Sequence, residues 1–414
     1  MAKNLIYQLY PLTWGGFKEM EDFLYQIAEL GVDYVWLSPI FPSPGVDHGY
    51  DISNYRDIDP KHGNLGDFDN FVETAHQLGM DVLLDLVINH TSTEHEWFTT
   101  RPDYYYWGKA DRPGWKNLFD GGSAWKQKGD HYYLHMFHEE QADLNWFPDG
   151  PDRDINRDLL REFREIINYW TCVHLVDGFR LDATQVINKD ARDYRFDPVE
   201  TVTKYRDMSV RVINELFGSL NSFLLAECLD LSGDMVGYYY ENTPVSAVMD
   251  NTSICTIPVT EDMSVRERGL ESFVGLIEGA YKRCPEGFAQ VTESHDGPRI
   301  PSVAGIDGKS AIDILFGEYH GRKFSDPQTI VLYQGQELGL KNPSKEILTD
   351  QRMRELDAES KMRFERGESL DELRPNSRAN ARVWVPLVEY ELQEPDENSC
   401  LNYTKARIKK WKAH

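Results

Sequence analysis

Arg180 and Asp182 stand two residues apart in DGFRLDAT, residues 177–184. Read as a strand, this segment sends Phe179, Leu181 and Ala183 to one face and Arg180 and Asp182 to the other. Its flanks, TCVHLVDGF before and a long helical pattern after, read as interior, so a cation and an anion share one face of a buried strand. Other ionisable residues close similar strand-like runs: His90 after DVLLDLVI, Glu227 at the end of SFLLAE, and His295 with Asp296 just past FAQVTES. Asp47 and Tyr50 follow DYVWLS. Singly, each has a plainer reading: a structural ion pair for Asp182, an exposed strand-end acid for Glu227, hydrogen-bonded loop histidines for His90 and His295. Jointly, three acids from three strand ends repel one another unless a function requires them together. Clustered carboxylates beside an arginine suit glycosidic-bond chemistry. One carboxylate attacks the anomeric carbon, and a second, kept protonated, gives its proton to the leaving oxygen. A retaining mechanism wants the two about 5–5.5 Å apart. On this reading Arg180 holds Asp182 ionised at neutral pH.

Such a cluster needs a scaffold that brings several strand ends to one mouth. Eight runs rich in Val, Ile, Leu and Tyr read as strands: 5–10, 33–38, 81–88, 178–183, 222–227, 246–250, 288–294 and 329–335. Helical patterns fall between most of them, at 17–31, 67–79, 158–173, 201–217, 265–282 and 309–319, with a last one at 398–412. In the first, Phe17, Met20, Phe23, Leu24, Ile27 and Leu30 make an apolar stripe that ends on Gly31. Eight alternating units predict a parallel (β/α)8 TIM barrel, whose active site lies at the C-terminal strand ends. The long gap between the third and fourth strands, rich in Trp, Tyr, Gly, Asp and Pro, predicts an inserted domain over 91–155. Residues 1–90 and 156–414 are then the barrel.

The bulk composition agrees. Forty-four basic residues against 69 acidic ones leave a net charge of −25, which argues against nucleic acid and anionic membrane as partners and suits a neutral small molecule. The five cysteines, Cys172, Cys228, Cys255, Cys284 and Cys400, have no metal or redox spacing and read as free thiols in a reducing compartment. The N-terminus MAKNLIYQLYPLTW lacks the apolar run of a signal peptide, and no stretch approaches ~18 apolar residues. A cytoplasmic protein is expected.

Four segments together resemble the signature regions of the α-amylase superfamily, glycoside hydrolase family 13: DLVINH (85–90), GFRLDAT (178–184), AECLD (226–230) and ESHDGPR (293–299). QADLNW (141–146) is similar to the fifth region of the oligo-1,6-glucosidase and α-glucosidase branch, and LGVDYVWLSPIFPSP, DHGYDISNYRDIDP and NHTSTEHEWF are similar to that branch as well. The resemblance implies that Asp182 is the nucleophile, Glu227 the general acid/base and Asp296 the transition-state stabiliser. It implies that Arg180, His90 and His295 contact the bound glucose and the nucleophile, that Tyr50 stacks on it, and that Asp47 with an arginine of RPNSRANARVW (374–384), Arg382 in preference to Arg378, caps the non-reducing end. The segment 91–155 matches the family's domain B. Ala183, where α-1,6 enzymes of the branch carry valine, implies α-1,4 preference. A retaining exo-acting α-glucosidase on short α-glucosides is expected; oligo-1,6-glucosidase, transglycosylase, sugar isomerase and a non-catalytic binding protein on the same fold are the rival readings.

The sequence departs from the family at three places. PLTWGGFKEM (11–20) replaces an Asp/Asn/Gly-rich calcium loop and holds one acid, Glu19, so no calcium is expected there and no cofactor elsewhere. The chain ends on LNYTKARIKKWKAH, read as the last barrel helix, so a C-terminal β-sandwich domain is expected to be absent. Gly297 replaces the usual Gln after His-Asp, and VSAVMDNTSICTIP around the sixth strand matches poorly. His131, His135 and His138 of HYYLHMFHEE offer a metal-site alternative, but on a strand only the first two share a face.

Overall fold

Strands that are apolar on both faces must be covered on both, which is the condition inside a parallel sheet wrapped by helices. The computed structural model describes residues 3–119, 121–230, 232–252, 263–297, 299–342, 385 and 387–413. All eight expected strands are present: β1 (Asn4–Leu9), β2 (Tyr34–Leu37), β3 (Asp81–Leu86), β4 (Gly178–Leu181), β5 (Phe223–Cys228), β6 (Ala247–Asp250), β7 (Phe288–Val291) and β8 (Thr329–Tyr333). Every neighbouring pair is parallel, and β1 bonds both β2 and β8, which closes the barrel. Ile6, Trp36, Leu83, Leu225, Ala247, Met249, Ala289, Val291 and Val331 pack together inside it. Their sequence neighbours, such as Val35, Leu37, Val82, Leu84, Leu224 and Ala226, belong to the larger core under the helices. A Cβ on Gly178 would stand 2.0 Å from the Phe223 carbonyl oxygen, so only glycine lets β4 and β5 approach there.

A helix follows each strand: α1 (Phe17–Glu29), α2 (Leu65–Gln77), α3 (Arg157–Asn168), α4 (Asp207–Phe217), α5 (Met235–Asn242), α6 (Met263–Arg283), α7 (Gly308–Leu315) and α8 (Cys400–Lys412). The stripe of α1 is buried as its spacing predicts, and Gly31 beyond it takes φ +78°. Asn64 caps α2 by accepting the N–H of Gly66 at 2.9 Å and of Asp67 at 3.2 Å, while Asp67 accepts the Asn64 N–H in return. Asn64→Ala is expected to cost about 1 kcal/mol, read as a lower urea midpoint with an unchanged slope. The helix expected over 201–217 is two, Glu200–Lys204 and α4. α5 had no sequence signal: MVGYYYEN holds a glycine and three tyrosines, weak helix formers, and tertiary packing decides its state. α8 closes the barrel's outer ring, with the Trp411 Nε1–H donating to Pro327 O and Lys412 Nζ to Asp33.

Between β3 and α3, His90–Ser92 pairs with Gln141–Asp143, and His131–Leu134 pairs with both Trp107–Gly108 and Trp125–Lys128, all antiparallel. Buried Lys189, in the loop after β4, ties this region to the barrel. Its Nζ lies 2.9 Å from Asp143 Oδ2 and donates to Asn89 Oδ1 at 2.7 Å. No described helix is long and apolar enough to cross a membrane.

Candidate active site

Parallel register sets Asp85 of β3 directly beside Arg180 of β4, with Leu225 of β5 on the other side. Arg180 is fully buried. Its Nη1 donates to Asp85 Oδ1 and to Asp182 Oδ1, each at 2.7 Å, and its Nη2 to Glu227 Oε2 at 2.5 Å. The planar fork thus gathers three carboxyl groups from three adjacent strands.

This sharing corrects one expectation. Arg180 was expected to keep Asp182 ionised at neutral pH, but one positive charge serves three acids and burial outweighs it. Burial pushes Asp182 up from its ordinary 3.8 to about 7; Arg180 pulls it down, and Asp85 and Asp296 push it up further. Burial likewise lifts Glu227 to about 7 against Arg180, with Asp182 and Asp296 adding to the rise. Asp85 rises to about 6, again chiefly through burial. Two carboxyl groups poised near neutrality on neighbouring strands can divide the roles of anion and acid between them.

Local backbone aims these groups. Ala183, just past Asp182, adopts φ +42° and ψ +46°, a left-handed turn at the strand's end. That turn directs the Ala183 N–H at Glu227 Oε2, 2.9 Å away, and Thr184 Oγ1 at the Glu227 carbonyl, 2.7 Å away. On the far oxygen, Asn251 Nδ2 donates to Glu227 Oε1.

The other expected residues join the same cluster. The Tyr50 hydroxyl donates to Asp85 Oδ2 at 3.0 Å and meets His295 Nε2 at 2.7 Å, and the Tyr50 and His295 rings stack with centroids 5.3 Å apart. His295 Nε2 lies 3.3 Å from Asp296 Oδ2, and its Nδ1 lies 2.8 Å from Gln8 Nε2. Gln141 bridges Asp47 and His90, its Nε2 lying 3.1 Å from Asp47 Oδ2 and 3.0 Å from His90 Nε2. Burial drops His90 to about 4, so its ring is neutral at pH 7. His90 Nε2 also lies 3.2 Å from the Tyr50 carbonyl oxygen, so Asp182, Glu227, Asp296, Arg180, His295, Tyr50, His90 and Asp47 form one connected cluster at the C-terminal ends of the strands. Arg382 and Arg378 lie outside the described residues. The three histidines of 131–138 do not converge: His131 is exposed, His135 Nδ1 meets the Phe137 carbonyl, and His138 packs on Phe119. Among the described residues the one set close enough to hold a metal is His76, Asp81 and Asp177, at the opposite end of the barrel strands.

The family model of the alpha-amylase catalytic domain matches residues 11–383, nearly the whole chain and every residue of this cluster except Gln8. The chain belongs to the alpha-amylase family. It is a glycoside hydrolase, as its curated relatives in that family are. It is 31% identical to the trehalose-6-phosphate hydrolase of Escherichia coli (strain K12), over 84% of this chain and 67% of that one. It is 29% identical to the probable oligo-1,6-glucosidase 3 of Bacillus subtilis (strain 168), over 98% of this chain and 82% of that one. The crystal structure of Bacillus licheniformis trehalose-6-phosphate hydrolase superposes with a TM-score of 0.78 at 26% identity, covering 100% of this chain and 84% of that one.

Within this alpha-amylase family chain, sequence reasoning missed Asp85, Gln141, Gln8 and Asn251. Asp85 was legible: it interrupts the apolar run DVLLDLVI on the same face as Leu83, the alternation that marked Arg180. Gln8 is a neutral amide in the apolar run LIYQL, a weaker version of the same signal, whereas Gln141 stands among polar residues and has no such mark. Asn251 sits in a segment that matches the family poorly, and nothing in the sequence marks it.

Proposed function

We propose that the protein is a retaining, exo-acting α-glucosidase that hydrolyses short α-glucosides, α-1,4 links foremost. The observation that carries this reading is the pairing of Asp182 and Glu227 on one guanidinium, from neighbouring strands, both pushed up to about 7. Asp182, ionised, attacks the anomeric carbon while Glu227 gives its proton to the departing glycosidic oxygen. The C1–O bond breaks and a glycosyl ester on Asp182 forms. Glu227, now anionic, takes a proton from water, the water oxygen bonds to C1, and the Asp182 carboxylate is released. Two inversions return the α-configuration. Asp296, beside His295 and near enough to push up both Asp182 and Glu227, stabilises the oxocarbenium-like charge, and neutral His90 with Tyr50 and Arg180 shapes the glucose site. Asp47, held by Gln141, joins Arg382 in gripping the non-reducing end, and the segment 91–155 acts as an inserted domain walling that end.

The relatives supply the competing linkages, since the two named above act, by name, on an α-1,6 link and on a phosphorylated trehalose. Ala183 beside Asp182 supports α-1,4, a small side chain leaving room for the +1 sugar. A panel of maltose, isomaltose, trehalose, trehalose 6-phosphate, sucrose and starch, with products followed by NMR, tests the whole reading. Maltose is expected to react fastest, with α-glucose as the first-formed anomer and starch nearly inert. Initial β-glucose, or internal cleavage of starch, rules it out. Disaccharide or higher products rather than glucose point instead to transfer or isomerisation. Activity is expected to survive EDTA, because Glu19 is the one acid in PLTWGGFKEM; loss on chelation with recovery on added Ca²⁺ is the contrary result.

A further inference from the structure

The two oxygens of Glu227 keep different company. Oε2 faces two donors, the Ala183 N–H and Arg180 Nη2. A proton on Oε2 would point at one of those N–H groups, so the acid form of Glu227 carries its proton on Oε1. Asn251 stands there. It is the first residue past β6, its backbone N–H donates to the Cys228 carbonyl at 3.0 Å, and its side chain is buried. Its Nδ2 donates to Oε1, while its Oδ1 is buried and has no hydrogen-bond partner among the described residues. A buried carbonyl oxygen left unpaired beside a carboxyl group calls for an explanation.

We propose that Asn251 is a positioning residue for Glu227 that serves both of its protonation states. Its Nδ2–H holds the carboxylate, and after a half-turn of the amide Oδ1 accepts the Oε1–H of the acid. A carboxamide offers a donor and an acceptor from one place; an apolar side chain offers neither, and a carboxylate only the acceptor. When Glu227 gives its Oε1 proton to the glycosidic oxygen, the amide donates to the anion left behind. When Glu227 regains a proton from water, the amide accepts. The inference rests on the α-glucosidase reading and deepens it.

Maltose leaves as an alkoxide and needs the proton, whereas the nitrophenolate of p-nitrophenyl α-glucoside needs it little, so the two substrates separate proton donation from everything else. Asn251→Ala is expected to lower kcat/KM on maltose by about 10-fold or more and to leave the nitrophenyl substrate within about 3-fold. Asn251→Asp, of equal size, sets a second carboxylate against Oε1 and is expected to move the alkaline limb of the maltose kcat/KM profile up by about one pH unit. Equal losses on both substrates with an unmoved limb overturn the role of Asn251. Should that occur while the unsubstituted enzyme cleaves both glucosides and Glu227→Gln loses maltose selectively, the glucosidase reading stands alone. If the unsubstituted enzyme cleaves neither, both readings fall.

Discussion

Asp182→Asn is expected to leave a folded protein whose hydrolysis of maltose is at least ~10²-fold slower, and Glu227→Gln to do the same. Both substitutions preserve shape. An asparagine oxygen at 182 still accepts from Arg180 Nη1, and a glutamine oxygen at 227 still accepts from Ala183 N–H and Arg180 Nη2. What each removes is the ability to bond C1 in one case and to carry a transferable proton in the other. The stability consequence runs against intuition for a buried site. Each acid is ionised in the barrel only against its burial, so neutralising one of three carboxyl groups around a single guanidinium removes repulsion as well as attraction. Thermal unfolding at neutral pH is therefore expected to move little, or upward, while kcat/KM collapses. A near-normal rate in either variant, with the fold intact, would take the chemistry away from these two residues.

The sequence carried the barrel because a parallel strand covered on both faces is written as an apolar run, and there are eight such runs, evenly spaced except for the long gap between the third and the fourth. It also carried the mouth, since charges that break those runs near their C-terminal ends have nowhere else to point. The electrostatic balance was less legible. Arg180 and Asp182 lie two residues apart on one strand face, and their pairing reads directly; that Asp85 and Glu227 claim the same guanidinium depends on the register of β3 and β5 against β4, which no local pattern states. For the same reason the sequence suggested an ionised Asp182, where burial above all, with Asp85 and Asp296 nearby, lifts it to about 7 against the pull of Arg180. α5 escaped because its tyrosines and glycine carry no helical stripe, and Asn251 because a polar residue after a strand ordinarily reads as the start of a loop.

Arg180→Met is expected to cost about 3–5 kcal/mol of unfolding free energy at neutral pH, since removing one partner of a buried ionic cluster strands the others. The pH dependence of that loss identifies its cause. Asp85, Asp182 and Glu227 all have folded-state values above their ordinary ones, so each binds a proton more tightly folded than unfolded. Their contribution to stability is then fully present below the ordinary carboxylate range, near 4, and is lost as pH rises through about 6 to 7. Arg180 pulls all three down and so limits that loss. Without it the three acids stay protonated to higher pH, and the decline in stability reaches beyond pH 7. Urea midpoints for the variant and the unsubstituted protein should therefore lie far apart at pH 7.5 and draw together towards pH 4.5, where protonated acids no longer need a cation and a buried guanidinium with few partners is itself a burden. A gap that stays constant across this range would mean that Arg180 supports the barrel by packing against Trp36, whose ring lies 5.1 Å from its guanidinium carbon, and that the charge it shares among three strand ends is secondary.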